Sequence, residues 1–387
     1  MIEELRTQNE DNLIDIASRF ALRGKVTGIK AFGNGNINDT FLVTLDSAES
    51  QYFVLQRINT SVFRQPQLIM QNMRTLTEHI RYRLQTQPLN RRWEVPLVLL
   101  TQNAQDYWQD DNGSFWRAIS FIDNTQSFDT IHKMEYAKEI GYALGMFHNL
   151  ISDLPSEKLA DTLEGFHITP LYLQHYDLVL AKTNLGNTTP IPSTGSTPPR
   201  DCLAEVNYCL QFVSKSKARA NVLENAKANG ELPLRLMHGD PKINNVMFDT
   251  VTQQAVSMID LDTVKPGLVH YDIGDCLRSG CNLAGEETNN WELVYFDTDL
   301  CREILQGYVS VAKEFLTEHD YYYMYDAIRL IAFELGLRFF TDYLAGNVYF
   351  KVKHPEHNLA RALVQFKLTE SIESQETTIR NILQDIK

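Results

Sequence analysis

His238-Gly239-Asp240-Pro241-Lys242-Ile243-Asn244-Asn245, followed further on by Ile259-Asp260-Leu261-Asp262, is the stretch whose reading decides the fold. An aspartate, an asparagine five residues later, and an acid closing an apolar strand supply the parts of a phosphoryl-transfer site. In that reading Asp240 holds and deprotonates the attacking hydroxyl, while Asn245 and Asp260 grip magnesium through hard oxygen ligands. His-Gly-Asp by itself is equally an ordinary turn, since Gly and Asp both favour one. The flanks shift the balance: Met247-Phe248 and Val256-Ser257-Met258-Ile259 read as two short strands, so a loop, a hairpin and a second acid converge on one edge. His238 is read as a buried hydrogen-bonding scaffold rather than a proton carrier.

Working towards the N-terminus, residues 11–22 have apolar groups at helical spacing, with Gly24 as a stop. Val26–Phe32, Thr40–Leu45 and Gln51–Ile58 then read as an antiparallel meander. Between the first two strands, Gly33 and Gly35 permit a tight turn whose backbone N–H groups could approach nucleotide phosphates; a plain hairpin turn is the alternative. Leu68, Met73, Leu76 and Ile80 share one helical face, and strand character resumes at Val95–Leu100 and Ser114–Ile122. Five strands and a helix are thus expected in a small lobe. Phe121-Ile122-Asp123-Asn124-Thr125 leaves that sheet as a hinge where backbone amides could meet an adenine edge, or as a simple connector. Domain boundaries are accordingly expected at 1–122 for a nucleotide-binding lobe and 123–387 for a catalytic and substrate-binding lobe.

The remainder is mostly helical in pattern, interrupted at residues 186–200, which are too rich in Pro, Gly, Ser and Thr for regular structure. The last thirty residues carry apolar positions spaced as in one long amphipathic helix or two. With 387 residues and 43% hydrophobic content the chain can bury a large core. A net charge of −13 without a basic stripe argues against nucleic acid as a partner. An acidic start and no long apolar run argue against a secretory signal or a membrane span, so a cytoplasmic protein is expected. Five cysteines without CxxC spacing read as reduced thiols rather than a zinc site or a disulfide framework. The sequence leaves the oligomeric state open.

On these motifs the chain resembles the aminoglycoside phosphotransferase and choline kinase superfamily, over nearly its whole length. More narrowly it is similar to bacterial N-acetylhexosamine 1-kinases, on GNGNINDTFLV at 33–43, FVLQRINTSVF at 53–63, WRAISFI at 116–122, HGDPKINN at 238–245, IDLDTVKPGLVHYDIGDCLRSG at 259–280 and ELGLRFFTDYLAGNVYFKVKHPEHNLARA at 334–362. The resemblance implies a protein-kinase-like bilobal α+β fold, a small antiparallel β-sheet lobe with a larger mainly helical lobe. It implies an enzyme that uses ATP and Mg2+ to phosphorylate the anomeric hydroxyl of N-acetylglucosamine or N-acetylgalactosamine. It also implies Asp240 as base, Asn245 and Asp260 as metal ligands, and Lys242 near the transferred phosphate, unless Lys242 is a solvated loop residue.

The same resemblance places Arg338 and Tyr349 on the sugar; the alternative for Arg338 is a bracing ion pair with Asp342 at i+4. Asn36 and Asn38 stay open between phosphate, sugar and turn-making. Kinases of the superfamily usually carry a third-strand lysine for the α- and β-phosphates. Here Val54-Leu55-Gln56-Arg57-Ile58 has none, and alternation lets only one of Gln56 and Arg57 face the nucleotide. Asp272 resembles a residue that orders the catalytic loop, Asp275 reads as capping or lining the next helix, and Asp262 is either a second metal ligand or a turn acid. Two other functions stay in view: a kinase for an aminoglycoside, choline or another small alcohol, and a nucleotide-binding protein without catalysis.

Overall fold

The computed structural model describes residues 11–20, 24–33, 37–47, 51–131, 133–183 and 202–387. Gly35, Asn36 and the segment 186–200 lie outside the described residues. Two compact units emerge. One comprises Met1–Thr125 with Glu157–Leu163 and Leu261–Lys265; the other comprises Gln126–Ser156, Glu164–Asp260 and Pro266–Lys387.

In the first unit residues 11–17 are helical (α1), ending earlier than the apolar spacing suggested. The sheet contains β1 (Lys25–Ala31), β2 (Asp39–Asp46), β3 (Tyr52–Ile58), β4 (Val98–Leu99), β5 (Trp108–Gln109) and β6 (Phe115–Ser120). Its order is β1-β2-β3-β6-β4, with β5 also pairing β6, and the pairings are antiparallel. The sheet therefore has six strands rather than the expected five. β5 is only two residues long and carries no alternation to read, while Pro96 lacks the amide needed to extend β4 back to Val95.

Strand alternation decides which side chains meet. Phe53 and Leu55 of β3 join Trp116 and Ala118 of β6 on the face covered by Ile16, Ala17 and Phe20. On the opposite face Ile58 and Phe115 pack with Ile69 and Met70 of α2 (Pro66–Thr86). Thr40, Gln56 and Arg117 are register partners across β2, β3 and β6 and share this second face. Asp39, Arg57 and Trp116 are partners on the first.

The second unit begins with the two-residue strand β7 (Thr125–Gln126), whose Thr125 still belongs to the first, and continues through α3 (Met134–Ile151), α4 (Thr169–Lys182), α5 (Leu203–Ser216) and α6 (Val222–Ala228). β8 (Arg235–Met237) leads into the 238–245 loop. β9 (Val246–Asp249) and β10 (Ala255–Met258) then form the anticipated antiparallel hairpin. After the short strand β11 (Lys265–Gly267) come α7 (Val269–Gly280), α8 (Thr298–Ala312), α9 (Glu318–Leu344), α10 (His357–Ser374) and α11 (Glu376–Asp385). The C-terminal pattern thus resolves into two helices, α10 and α11.

The long helix α9 starts at a capping box in which Thr317 and Asp320 satisfy each other's backbone amides. Its buried aromatics Phe333, Phe339 and Phe340 join Phe212 of α5 and Phe366 of α10 in the main core of the unit. All five cysteines are free thiols. No helix among the described residues is long and apolar enough to cross a membrane.

Helices α3 and α8 touch backbone to backbone because Gly141, Gly145 and Gly307 remove the side chains that would keep them apart. A Cβ on Gly141 would lie 1.7 Å from the Ile304 carbonyl oxygen, and one on Gly307 would lie 2.0 Å from the Lys138 carbonyl oxygen. Neither neighbour is a side chain that can swing away. Gly→Ala in an unobstructed helix interior stabilises by about 0.5–1 kcal/mol. Gly307→Ala should instead destabilise by about 1–3 kcal/mol through overpacking. Urea denaturation of the variant checks the sign, and an unchanged or raised midpoint would contradict this packing.

Candidate active site

The 238–245 loop is organised around a carboxylate with no solvent exposure. Asp272, in the first turn of α7, accepts the amides of His238 at 2.6 Å and Gly239 at 2.8 Å. It also meets His148 Nε2 of α3 at 2.8 Å, and the other nitrogen of that ring lies 3.0 Å from the Tyr308 hydroxyl. Burial would push Asp272 towards protonation, but His148, the nearby His238 and the Gly239 amide hold its carboxyl below the usual aspartate range. Asp272 therefore orders the loop, as the resemblance implied.

His238 ties the loop to the end of β10. Its Nε2 faces the Ile259 carbonyl at 3.0 Å, and because a carbonyl only accepts, that nitrogen carries the proton. The other nitrogen then accepts the Asp240 amide at 3.3 Å. Burial lowers the proton affinity of the ring, consistent with a neutral scaffold.

Asp240 meets the Lys242 ammonium at 2.8 Å. Asn245 sends its amide nitrogen to the Asp240 carbonyl at 2.7 Å, with a longer approach of 3.3 Å to the Asp240 carboxylate. Burial would raise the Asp240 pKa, but Lys242, His238 and Arg278 together hold it below the usual value. For Lys242 burial acts downward and is outweighed by Asp240 and Asp260, so the ammonium is held above the ordinary lysine value. At neutral pH the loop thus presents a carboxylate beside a cation. Arg278, which the sequence reading did not single out, bonds Asp275 at 2.8 Å and Glu286 at 3.0 Å from within α7. Asp275 is accordingly an interior residue of α7 engaged by Arg278, not its cap.

Because the Asn245 nitrogen is engaged, its side-chain oxygen is the atom left to act as a ligand. Asp260 is solvent-exposed at the end of the hairpin, on a backbone with φ of 65°, a left-handed conformation that non-glycine residues hold only when their surroundings enforce it. An amide oxygen and a carboxylate make a hard, two-donor set. That set fits magnesium, which fills its remaining positions with water and substrate phosphate.

Arg338 lies on α9. Its guanidinium packs over Phe166 at 5.2 Å, Tyr172 at 5.1 Å and Phe350 at 5.5 Å. Such a cage holds the cation by cation–π attraction. Burial lowers its proton affinity, but Tyr172, Tyr349, Glu334 and Asp240 more than restore it. The bracing alternative is overturned: among the described residues Arg338 and Asp342 form no ion pair. Asp342 instead accepts the amides of Val348 at 2.9 Å, Tyr349 at 2.8 Å and Phe350 at 3.0 Å, and the Asn358 side chain at 2.9 Å. One carboxylate thereby folds the turn that carries Tyr349 and Phe350. Three consecutive amides converging on it leave it none of the geometry an i+4 ion pair needs.

In the first unit, Gly33 adopts φ of 74° at the end of β1, the conformation a tight turn requires. Gln56 donates to Thr40 at 3.0 Å and accepts from Arg117 at 2.9 Å. Arg57 is on the other face, bonded to Asp39 and packed over Trp116. The charge beside Gln56 therefore comes from Arg117, on the neighbouring strand. Arg117 is buried and pairs with Asp262 at 2.5 Å. Asn38 bridges the Asn59 amide at 3.0 Å and the Asp262 carboxylate at 2.8 Å. Asp262 is thus more than a bare turn acid: its carboxylate pairs with a buried guanidinium and accepts from an amide. Phe121 sits edge-on to Phe32 and Tyr52, and the Asp123 carbonyl accepts from Arg92 at 2.7 Å.

A family model described as the phosphotransferase enzyme family matches residues 28–300. Among solved structures, an aminoglycoside phosphotransferase from Alicyclobacillus acidocaldarius is similar at 13% identity over 96% of each chain, with a TM-score of 0.59. A choline kinase from Cryptosporidium parvum is similar at 14% identity over 95% of this chain and 97% of its own, with a TM-score of 0.56. A spectinomycin phosphotransferase, solved with ADP and spectinomycin, is similar at 12% identity over 97% and 98%, with a TM-score of 0.55. The fold is therefore of the protein-kinase-like α+β type, an N-terminal antiparallel sheet followed by a mainly helical part.

Removing the Asp342 carboxylate should free the turn that carries Tyr349. Hydrogen bonds to a charged group are worth about 1.5–3 kcal/mol each. Asp342→Ala should accordingly accelerate amide hydrogen exchange at residues 348–350 by about 10- to 10²-fold, and unchanged exchange there would contradict the assignment.

Proposed function

The chain belongs to the phosphotransferase enzyme family, and from that premise we propose that it is an ATP- and magnesium-dependent small-molecule kinase whose acceptor is the anomeric hydroxyl of an N-acetylhexosamine. The observation that carries the acceptor class is the Arg338 cage. Phe166, Tyr172 and Phe350 surround a guanidinium within electrostatic range of Asp240. A forked donor rimmed by aromatic rings suits a neutral polyol, whose hydroxyl and acetamido oxygens accept from the fork. A cationic amine would meet like charge there.

In this reading Asp240 accepts the proton of the attacking hydroxyl. That oxygen bonds to the γ-phosphorus, the bond to the bridging oxygen breaks, and ADP leaves with its electron pair. Lys242 keeps Asp240 ionised before the reaction and neutralises the proximal phosphate oxygens during it. Asn245 and Asp260 would hold magnesium, which supplies charge neutralisation on the phosphates. Gly33, Gly35 and Asn36 would contribute the turn over the phosphates. Gln56, with Arg117 behind it, would face them from the sheet, whereas Arg57 is directed to the opposite face. Phe121 and Asp123 would offer backbone groups to the base, and Tyr349 would join Arg338 against the sugar. Most of the acceleration should come from positioning.

The test is ADP release with magnesium and ATP against N-acetylglucosamine, N-acetylgalactosamine, glucose, choline and kanamycin. Turnover confined to the acetamido sugars is expected; turnover confined to choline or kanamycin would overturn the acceptor assignment. Asp240→Asn should lower kcat by about 10²–10⁴-fold, and near-normal turnover would remove Asp240 from the role of base. Because the Asp240 pKa is depressed, the base form is present above that pKa and lost only as pH falls through it. The acidic limb of kcat/KM should therefore lie below the pKa of an unperturbed aspartate, and a limb above it would contradict the charge arrangement. Arg338→Gln should raise the acceptor KM by about 10-fold, the loss of roughly one charge-assisted hydrogen bond, with the MgATP Kd unchanged.

A further inference from the structure

His167 is a buried residue that none of these roles uses. It stands just before α4, with a backbone φ of 65°. A left-handed histidine with a fully packed ring is a costly conformation, so its surroundings must enforce it. Its Nε2 lies 2.7 Å from the Gly239 carbonyl, the peptide immediately before Asp240. Its Nδ1 lies 2.9 Å from Glu334 Oε1, and the other Glu334 oxygen accepts the Thr169 hydroxyl at 2.6 Å. Glu334 is buried and sits one helical turn before Arg338 on α9. The residue preceding His167 is Phe166, whose ring forms one wall of the Arg338 cage. Tyr271 stacks on the imidazole from α7, with centroids 5.5 Å apart.

The proton count follows from the partners. A carbonyl only accepts, so Nε2 carries a hydrogen. Nδ1 faces a carboxylate that already accepts from Thr169, so the link to Glu334 is an imidazolium–carboxylate bond, stronger than a neutral one. One ring therefore fixes two things that the sequence keeps far apart: the carbonyl that sets the orientation of the Asp240 peptide, and the helix turn from which Arg338 projects.

We propose that His167 is a positioning residue for phosphoryl transfer, setting the base Asp240 and the acceptor-binding Arg338 in one fixed relation through the Gly239 carbonyl and Glu334. The inference rests on the reading of Asp240 as base. Its physical premise is that reacting groups must be held to within a fraction of an ångström, a misplacement of about 1 Å being enough to cost roughly 10²-fold in rate.

Steady-state kinetics on the full chain, with MgATP affinity measured separately by calorimetry, test it in three variants. His167→Gln keeps an amide donor but is not charged and does not have the ring geometry to serve both partners; it should lower kcat by about 10²-fold and raise the acceptor KM while leaving the MgATP Kd unchanged. Glu334→Gln is isosteric and can donate to a neutral His167, preserving the Gly239 contact. It should raise the acceptor KM several-fold, with kcat reduced far less than in His167→Gln. This split between kcat and KM is what a purely structural role would not produce. Wild-type kinetics in both variants, or a parallel loss of MgATP affinity, would overturn the proposal. If His167→Gln does not fold, Glu334→Gln decides alone, since an unchanged acceptor KM in that variant contradicts the coupling. Asp240→Asn in the same assay separates the layers: full activity there overturns the base reading and this inference with it, whereas its loss alongside wild-type His167→Gln and Glu334→Gln overturns the inference alone.

Discussion

The 238–245 loop of the helical unit hangs on the Asp272 carboxylate. That carboxylate has no contact with solvent, and it accepts the amides of His238 and Gly239 while meeting the ring of His148. A buried carboxylate is tolerable only when its lone pairs are filled in this way, and breaking such an arrangement typically costs about 3–5 kcal/mol. The arrangement turns a five-residue spacing in the sequence into a rigid loop with Asp240 at its tip. His238 then links that loop to the Ile259 carbonyl, so Asp260 follows the same frame.

The charges are arranged in opposition rather than isolation. Asp240 has Lys242, Asp275 and Glu286 share Arg278, Glu334 has His167, and in the sheet unit Asp262 has Arg117. These acids are matched by cations, whereas buried Asp342 is satisfied by backbone amides and Asn358, consistent with the rule that buried charge must be compensated. Arg338 is the contrast. Its guanidinium is packed over three aromatic rings, with Glu334 and Asp240 acting on it only through their charge. That difference in how cations are satisfied separates structural arginines such as Arg117 from the one proposed to meet substrate.

Local features were legible in the sequence where local rules govern them. The hairpin after Asn245, the strands flanking Gly33, and the long helix through Arg338 follow from alternation and helical spacing. Short elements were not legible: β5 is two residues long, and β4 was shortened by Pro96. The partners that define the site escaped for another reason. Gln56 meets Arg117 across 61 positions and His167 meets Glu334 across 167, pairings set by sheet register and helix packing that no window of the chain contains. Asp342 was read as a helix-surface partner for Arg338 because i+4 spacing permits it; the turn that follows captured the carboxylate with three backbone amides. Gly35 and Asn36 lie outside the described residues, so their part in the phosphate turn stays a proposal.

The most direct test of the central claim is the position of the transferred phosphate. With N-acetylglucosamine, MgATP and the full chain, proton–phosphorus correlation NMR of the product should show the new phosphorus coupled to the anomeric proton of the sugar. Coupling instead to the C6 methylene protons, or no sugar phosphate while ATP is consumed, would contradict the account.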